Sequence, residues 1–530
     1  MLNTKLGKLK YSENNWLYIF LIVVIILGIV IRCIHIDHRV YWGDEIVTSL
    51  RMAGSSYVEA IQNLTNKSIL SISDLLVYQQ PRSTSDMFAT VQGLISEEPQ
   101  HVPVYFVLTR LWIQFFGSFG NSVVVIRSFS VFVSLLSLVC LYCLCIELFR
   151  SKYIGLIALA MVAVSPFHLV YAQEARPPAL WILSITLSST LLLRAARLNT
   201  KLSWSAYAIS VVLSLYTFLF SILVFVSHGI YILLMQRFQL NKVTKFYLVS
   251  MLVGILLFIP WLLVIISKLK VINNATGWSS EKIGSLNLLK GIFNNFRDVF
   301  FDIGKGYSYL TFFLIIITIF SLYFLWVKAP KSISIFVFSI IGVTIASILL
   351  PDLLNGGAAR SGASRYFIAP YLGIHLSLTY LFYRCTNYLS KRIRISGQIV
   401  ITLLILLGLL SCISISQSEQ SFNQATYRNG IALANMINKY DNPLVITNAK
   451  YSNNLIGIIN LSYRLKPDAQ FQMVGDARER LSESSKSIFI YGGDSDSLID
   501  TEKTKYEPQL IFDDRDNECC SENLWYLKPR

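Results

Sequence analysis

Apolar residues along this 530-residue chain gather into long uninterrupted runs instead of alternating with polar ones. The runs lie near residues 16–34, 121–149, 153–171, 178–197, 203–219, 221–236, 246–267, 308–327, 332–350, 365–384 and 398–415. Each is close to the roughly 17–25 residues that carry a helix across a bilayer, so the pattern predicts about 11 transmembrane helices. Residues 203–236 form one apolar run too long for a single crossing, and the split falls near Thr217 to Ser221. Basic clusters separate the runs at Arg150/Lys152, Arg194/Arg197/Lys201, Arg237/Lys242/Lys245, Lys328/Lys331 and Arg384/Lys391/Arg392/Arg394. Such clusters mark cytoplasmic turns. Lys5, Lys8 and Lys10 precede the first run and no small-residue cleavage site follows it, which reads as an anchor with a cytoplasmic N-terminus.

Val102 to Phe116 is also apolar, but counting it as a crossing would put Arg150/Lys152 outside and invert every later cluster. It carries Arg110 and Trp112, which suits a helix lying in the outer interface. The first outer loop then runs from about His35 to Gly120, far longer than an ordinary connection. Other outer pieces are Leu269 to Gly306, Pro351 to Ser364, and a tail from about Ser416. In the tail, short apolar runs at Leu444–Ile446, Ser487–Tyr491 and Leu524–Leu527 alternate with helical patterns at 424–440 and 451–461. This predicts a small extracytoplasmic α/β domain over 416–530 after a membrane domain over 1–415.

Composition agrees: 54 % hydrophobic and 15 % charged residues exclude a soluble enzyme, a disordered chain and a disulfide scaffold. The excess of 46 Lys plus Arg over 31 Asp plus Glu sits in the inter-run clusters, which argues for membrane orientation and against nucleic acid. Six of the eight cysteines lie in or beside apolar runs, where a thiol acts as a small hydrophobe. Cys519 and Cys520 are adjacent in the tail.

A charge facing lipid costs at least a few kcal/mol, so chemistry belongs where ionisable groups gather at the outer surface. Asp44 and Glu45 follow an aromatic pair just after the first run; Asp44 reads either as a reactive carboxylate or as a helix N-cap. Glu98 and His101 lie among prolines at the mouth of the interfacial helix, too few ligands for a metal. Gln173, Glu174 and Arg176 are locked by Pro177 and Pro178; a structural salt bridge explains them almost as well as a binding role, and the guanidinium fork suits phosphate. Arg360 and Arg365-Tyr366, beside Gly356, Gly357 and Gly362, form either an anion-binding turn or snorkelling cations.

These motifs resemble the membrane glycosyltransferases of the protein O-mannosyltransferase and aminoarabinose-transferase superfamily. The resemblance rests on Asp44-Glu45, on Glu98-Pro99-Gln100-His101-x-Pro103-x-Tyr105, on Ser165-Pro166 leading to Gln173-Glu174-Ala175-Arg176, and on Arg365-Tyr366, in that order over residues 16 to about 415. The family commonly has His-Pro-Pro-Leu-Tyr where this chain has His101-Val102-Pro103-Val104-Tyr105, and Tyr-Thr-His where it has Tyr216-Thr217-Phe218. The resemblance implies a GT-C fold in the plasma (inner) membrane. It implies an inverting transfer of a sugar from a polyprenyl phosphate to an acceptor hydroxyl of a glycan, lipid or protein on the extracytoplasmic face. No cofactor is expected, and no metal, because the ligand count is thin. Asp44 would then be the general base, Arg176 and Arg365 would hold the lipid phosphate, and Glu45, Glu98, His101, Gln173, Glu174 and Tyr366 would line the substrate. Two other classes also have many spans. A lipid or glycan transporter or flippase places ionisable residues near the midplane and breaks its helices there. A noncatalytic cell-surface assembly protein uses its tail for partners and its rim clusters as salt bridges.

Overall fold

The computed structural model describes residues 15–81, 85–117, 122–302, 308–387, 390–424, 426–475, 487–492, 496–502, 505–514 and 521–530. Lys5, Lys8, Lys10, Cys519 and Cys520 lie outside these residues. The chain divides into two compact units, one formed by Met1–His35, Gln100–Val102 and Ser130–Gln417, the other by Ile36–Pro99, Pro103–Phe129 and Ser418–Arg530.

Each apolar run is helical over most of its length among the described residues. Among the described residues, seven helices are long and apolar enough to cross a membrane, and eight if the bent pair Lys152–Ala163 and Pro166–Ala172 is one span. The expected count is higher because it includes Lys201–Leu215 and Ser221–Met235, which are short, and Ile368–Thr386, which is more polar. Most of Ile368–Thr386 is buried in protein, including His375 and Tyr380, so it has less need of apolar side chains than a lipid-facing helix. The long run breaks at Tyr216–Phe220, as its length requires, and Ser221 Oγ closes the corner on the Ser214 carbonyl at 2.9 Å.

The bent pair turns by 69° because Pro166 cannot continue a hydrogen-bond ladder and starts a new helix instead. That break orphans carbonyls at the end of the preceding helix. Arg32, fully buried at the end of Asn15–Cys33, takes them: its guanidinium donates to Ala163 O at 2.6 Å and Val162 O at 2.8 Å. Gly28, one turn earlier, permits this approach, since a Cβ there would lie 2.5 Å from the Ala163 oxygen. A charge inside the apolar region is thus used as a backbone cap.

Two connecting segments of this unit clasp one another. Ile283 N donates to Gly357 O and Ala359 N to Glu281 O, both at 2.9 Å, around a Lys282–Ala358 bridge. Gly357 has a φ of +85° and leaves no room for a side chain against the Gly284 backbone.

The second unit is built on a six-stranded sheet: β1 (Leu70–Ser71), β2 (Pro443–Asn448), β3 (Gln470–Val474), β4 (Ser487–Tyr491), β5 (Tyr506–Phe512) and β6 (Leu524–Pro529), in the order β1-β3-β2-β4-β6-β5. β2 runs parallel to β3 and β4, the helix Ser452–Ser462 lying in the β2–β3 connection, and the other pairs are antiparallel. The three expected strands are β2, β4 and β6; β3 and β5 are additional, and the first of the two expected tail helices shortens to Gly430–Ile437. β1 comes from the first outer loop, so loop and tail share one sheet. Leu444, Ile446, Ile488, Ile490 and Leu498 form its core. The helix Val104–Phe116 is too short to span a bilayer, and its buried Arg110 clamps the loop through Met52 O at 3.0 Å and Thr90 Oγ1 at 3.2 Å.

Glu522, immediately before β6, is fully buried and accepts from the Asn429 backbone N–H at 3.2 Å and side-chain amide at 3.0 Å. Burial pushes its carboxyl up to about 7, Asp514 adding to the rise and the Asn429 bonds opposing it. The folded state therefore holds a proton that the unfolded state has released between the ordinary carboxyl range and about pH 7, and stability falls as pH rises through that window. Thermal unfolding from pH 5 to pH 8 checks this: the melting temperature of Glu522→Gln should fall less than that of the parent, and equal slopes would remove Glu522 as the cause.

Candidate active site

The helix Gly43–Met52 presents the first acidic pair. Its N-cap is Trp42, so Asp44 is not the cap; its half-buried carboxylate lies in the first turn, where the helix dipole favours negative charge. Glu45 is fully buried and grips Arg127 with both oxygens, Nε–Oε1 at 2.8 Å and Nη2–Oε2 at 2.6 Å. The remaining N–H groups of Arg127 go to Ile36 O at 2.8 Å, Arg39 O at 3.1 Å and Val40 O at 2.8 Å. One guanidinium thus uses its five donors to fix the segment entering the helix and the helix itself. Arg127 was not among the residues singled out from sequence. Its signal was there: a lone arginine six positions into the apolar run 121–149 needs a buried partner.

Glu98 is similarly engaged. Arg51, fully buried, meets Glu97 at 2.5 Å and Glu98 at 2.9 Å and lies over the Tyr57 ring at 4.4 Å. Glu45 and Glu98 therefore have their carboxylates on arginines of their own unit, which suits structural support better than direct contact with a sugar.

The second group belongs to the other unit. His101 is half-buried there. The Gln173 side-chain amide donates to Ile31 O at 3.0 Å, Arg32 O at 3.1 Å and Ile34 O at 2.9 Å, capping the end of the first helix. Glu174 and Arg176, both largely buried, follow just beyond it. Tyr171 gathers the charges: its hydroxyl bonds Ser364 Oγ at 3.0 Å, and Glu174, Arg176 and Arg365 are its electrostatic neighbours. Two guanidiniums from distant stretches of the chain thus act electrostatically on one phenol. Arg365 lies over Trp278 at 5.4 Å and over Tyr366 at 5.3 Å. Tyr366 packs on Phe220 at 4.7 Å, Phe220 on Phe218 at 6.0 Å, and Phe218 on Trp181 at 4.4 Å, a continuous aromatic wall beside the cations. Arg360 is instead committed to Asp352, through Nε at 3.2 Å and a second N–H, and Ser361 donates to the same carboxylate. Among the described residues, no three His, Cys, Asp or Glu side chains group to hold a metal.

Removing Arg127 would leave Glu45 as an uncompensated buried charge, a loss of about 3–5 kcal/mol. Arg127→Leu should therefore unfold well below the parent temperature in detergent, and Arg127→Lys between the two. An unchanged melting temperature for Arg127→Leu would contradict the pairing.

Residues 100–264 match the family described as Dolichyl-phosphate-mannose-protein mannosyltransferase. No curated protein matches the chain. Among solved structures, ArnT from Cupriavidus metallidurans in the apo state aligns over 97 % of this chain and 98 % of its own, with a TM-score of 0.52 at 10 % identity. The same protein bound to undecaprenyl phosphate aligns over the same shares, with a TM-score of 0.50 at 10 % identity. At that identity the likeness speaks for the fold, and it extends into the tail, which the motif resemblance does not reach. The chain has the GT-C fold of the membrane glycosyltransferases, as its motif resemblance implies.

Proposed function

We propose that this chain is a multi-pass glycosyltransferase of the plasma (inner) membrane, with its N-terminus cytoplasmic and its chemistry extracytoplasmic. It moves a sugar from a polyprenyl-phosphate donor to an acceptor hydroxyl of a glycan, lipid or protein, with inversion at the anomeric carbon. Residues 1–415 form the transferase domain, including the first outer loop at 35–120, and 416–530 the extracytoplasmic domain.

The observation that carries the reading is Arg365 lying over the rings of Trp278 and Tyr366, at one end of an aromatic series that runs through Phe220 and Phe218 to Trp181. A departing lipid phosphate needs no general acid, but it gains negative charge as the glycosidic bond breaks, and fixed guanidiniums answer that charge. Apolar ring faces suit the isoprenoid tail joined to such a phosphate. The structural neighbour ArnT has been seen with undecaprenyl phosphate, which supports the same class of carrier. Asp44 is the general base: an acceptor hydroxyl becomes a competent nucleophile only as a carboxylate takes its proton. Glu174, His101 and Tyr366 line the sugar, while Gln173, Glu45 and Glu98 act through the groups they hold.

A broken helix also suits a transporter. Here, however, Arg32 fills the carbonyls exposed by the break, which favours a static role for that bend.

Radiolabelled polyprenyl-phosphate sugars, supplied with membranes as acceptor source, test the assignment. Asp44→Asn should lower transfer about 10²–10⁴-fold while still binding donor. Arg365→Ala and Arg176→Ala should weaken retention of undecaprenyl phosphate. Full transfer by Asp44→Asn would overturn the assignment of the base.

A further inference from the structure

The tail is the part of the chain whose role in transfer the motif resemblance leaves open, and its side chains reach the backbone that carries Asp44. Asn460, on the helix Ser452–Ser462, is 2 % exposed. Its amide donates to Tyr41 O at 2.8 Å and to Tyr427 O at 3.1 Å, riveting the segment before Asp44 to a turn of the tail. Around it, Val40 N donates to Glu419 O at 2.9 Å, the Gln424 side chain donates to Val40 O at 3.2 Å, and Gly43 N reaches Thr426 O at 3.4 Å. Val40 and Trp42 pack on Ile431 from the following tail helix.

The fit is close on both sides. A Cβ on Gly43 would lie 2.5 Å from Thr426 Oγ1 and 2.6 Å from the Tyr427 ring. Tyr427 has a φ of +52°, a left-handed conformation uncommon for a bulky residue, and its hydroxyl is tied to Asn453 O at 2.7 Å. Residues held in such conformations persist where their surroundings over-determine them, and they cluster at sites where position matters. An apolar contact would have sufficed to attach the tail. Instead, polar bonds are concentrated on residues 40–43, immediately before the acidic pair.

We propose that the tail is part of the catalytic apparatus, with Asn460 and the turn at Tyr427 as positioning residues that set where Asp44 stands. This inference rests on the reading of Asp44 as general base. A displacement of about 1 Å can cost 10²-fold in rate without changing substrate affinity, so the clasp should be visible in turnover and silent in donor binding.

The test compares three variants of the full-length protein with the parent: Asn460→Ala, Gly43→Ala, and Leu498→Ala, the last placed in the tail's core away from the clasp. Turnover is read with radiolabelled undecaprenyl-phosphate sugars, binding with undecaprenyl phosphate, and stability by thermal unfolding. Asn460→Ala and Gly43→Ala should lower kcat at least tenfold with undecaprenyl-phosphate affinity within twofold, while Leu498→Ala lowers the melting temperature and leaves kcat near the parent value. If Leu498→Ala reduces kcat in proportion to its loss of stability as the other two do, the tail is only a stabiliser and the proposal fails. Asp44→Asn run in parallel separates the two claims. A fully active Asp44→Asn removes the base and this inference with it, whereas an inactive Asp44→Asn beside a fully active Asn460→Ala removes the clasp alone. Should Asn460→Ala not fold, Gly43→Ala carries the same test from the opposite side.

Discussion

The bidentate pair between Arg127 and Glu45 is the interaction on which the candidate base depends. A guanidinium and a carboxylate withdrawn from water are tolerable only when every donor and both oxygens are engaged, and here they are. Because the leftover donors of Arg127 close on the carbonyls of residues 36, 39 and 40, the pair fixes a stretch of backbone as well as a side chain. Asp44 adjoins Glu45 on the same helix, so the backbone that carries it is held by its paired neighbour.

The same physical solution recurs. Arg32 caps carbonyls freed by a broken helix, Gln173 caps the end of the first helix, and Arg110 holds the loop through Met52 O. In each place a long polar side chain supplies several donors to backbone oxygens that neither lipid nor the protein interior could satisfy. These residues spend their polarity on architecture. Arg176 and Arg365 are electrostatic neighbours of the Tyr171 phenol, and Arg365 also lies over the rings of Trp278 and Tyr366.

The helices were legible in the sequence because the bilayer imposes a length and an apolarity that leave a plain trace, and the break at Tyr216–Phe220 followed from length alone. Span count was harder to read. A helix such as Ile368–Thr386, shielded by protein, no longer needs the composition that lipid demands. β1 is two residues long and pairs with a strand some 400 residues away in sequence, a partnership no local pattern can encode. The acidic and basic motifs stood out by charge, yet their partners did not. Asn460 sits in an otherwise unremarkable stretch of the tail, and what matters about it is a pair of carbonyls brought near by folding. The arginines that pair with Glu45 and Glu98 are distant in sequence or sit in an apolar context, so those ion pairs leave no local trace.

The proposed activity depends on whether the protein breaks the bond between a sugar and a lipid phosphate. The most direct measurement is to incubate the purified wild-type chain, in bilayers with membrane acceptors, with a panel of radiolabelled polyprenyl-phosphate sugars. Consumption of at least one donor, with its label transferred and the polyprenyl phosphate released, is the predicted result; a panel left wholly intact would contradict the account.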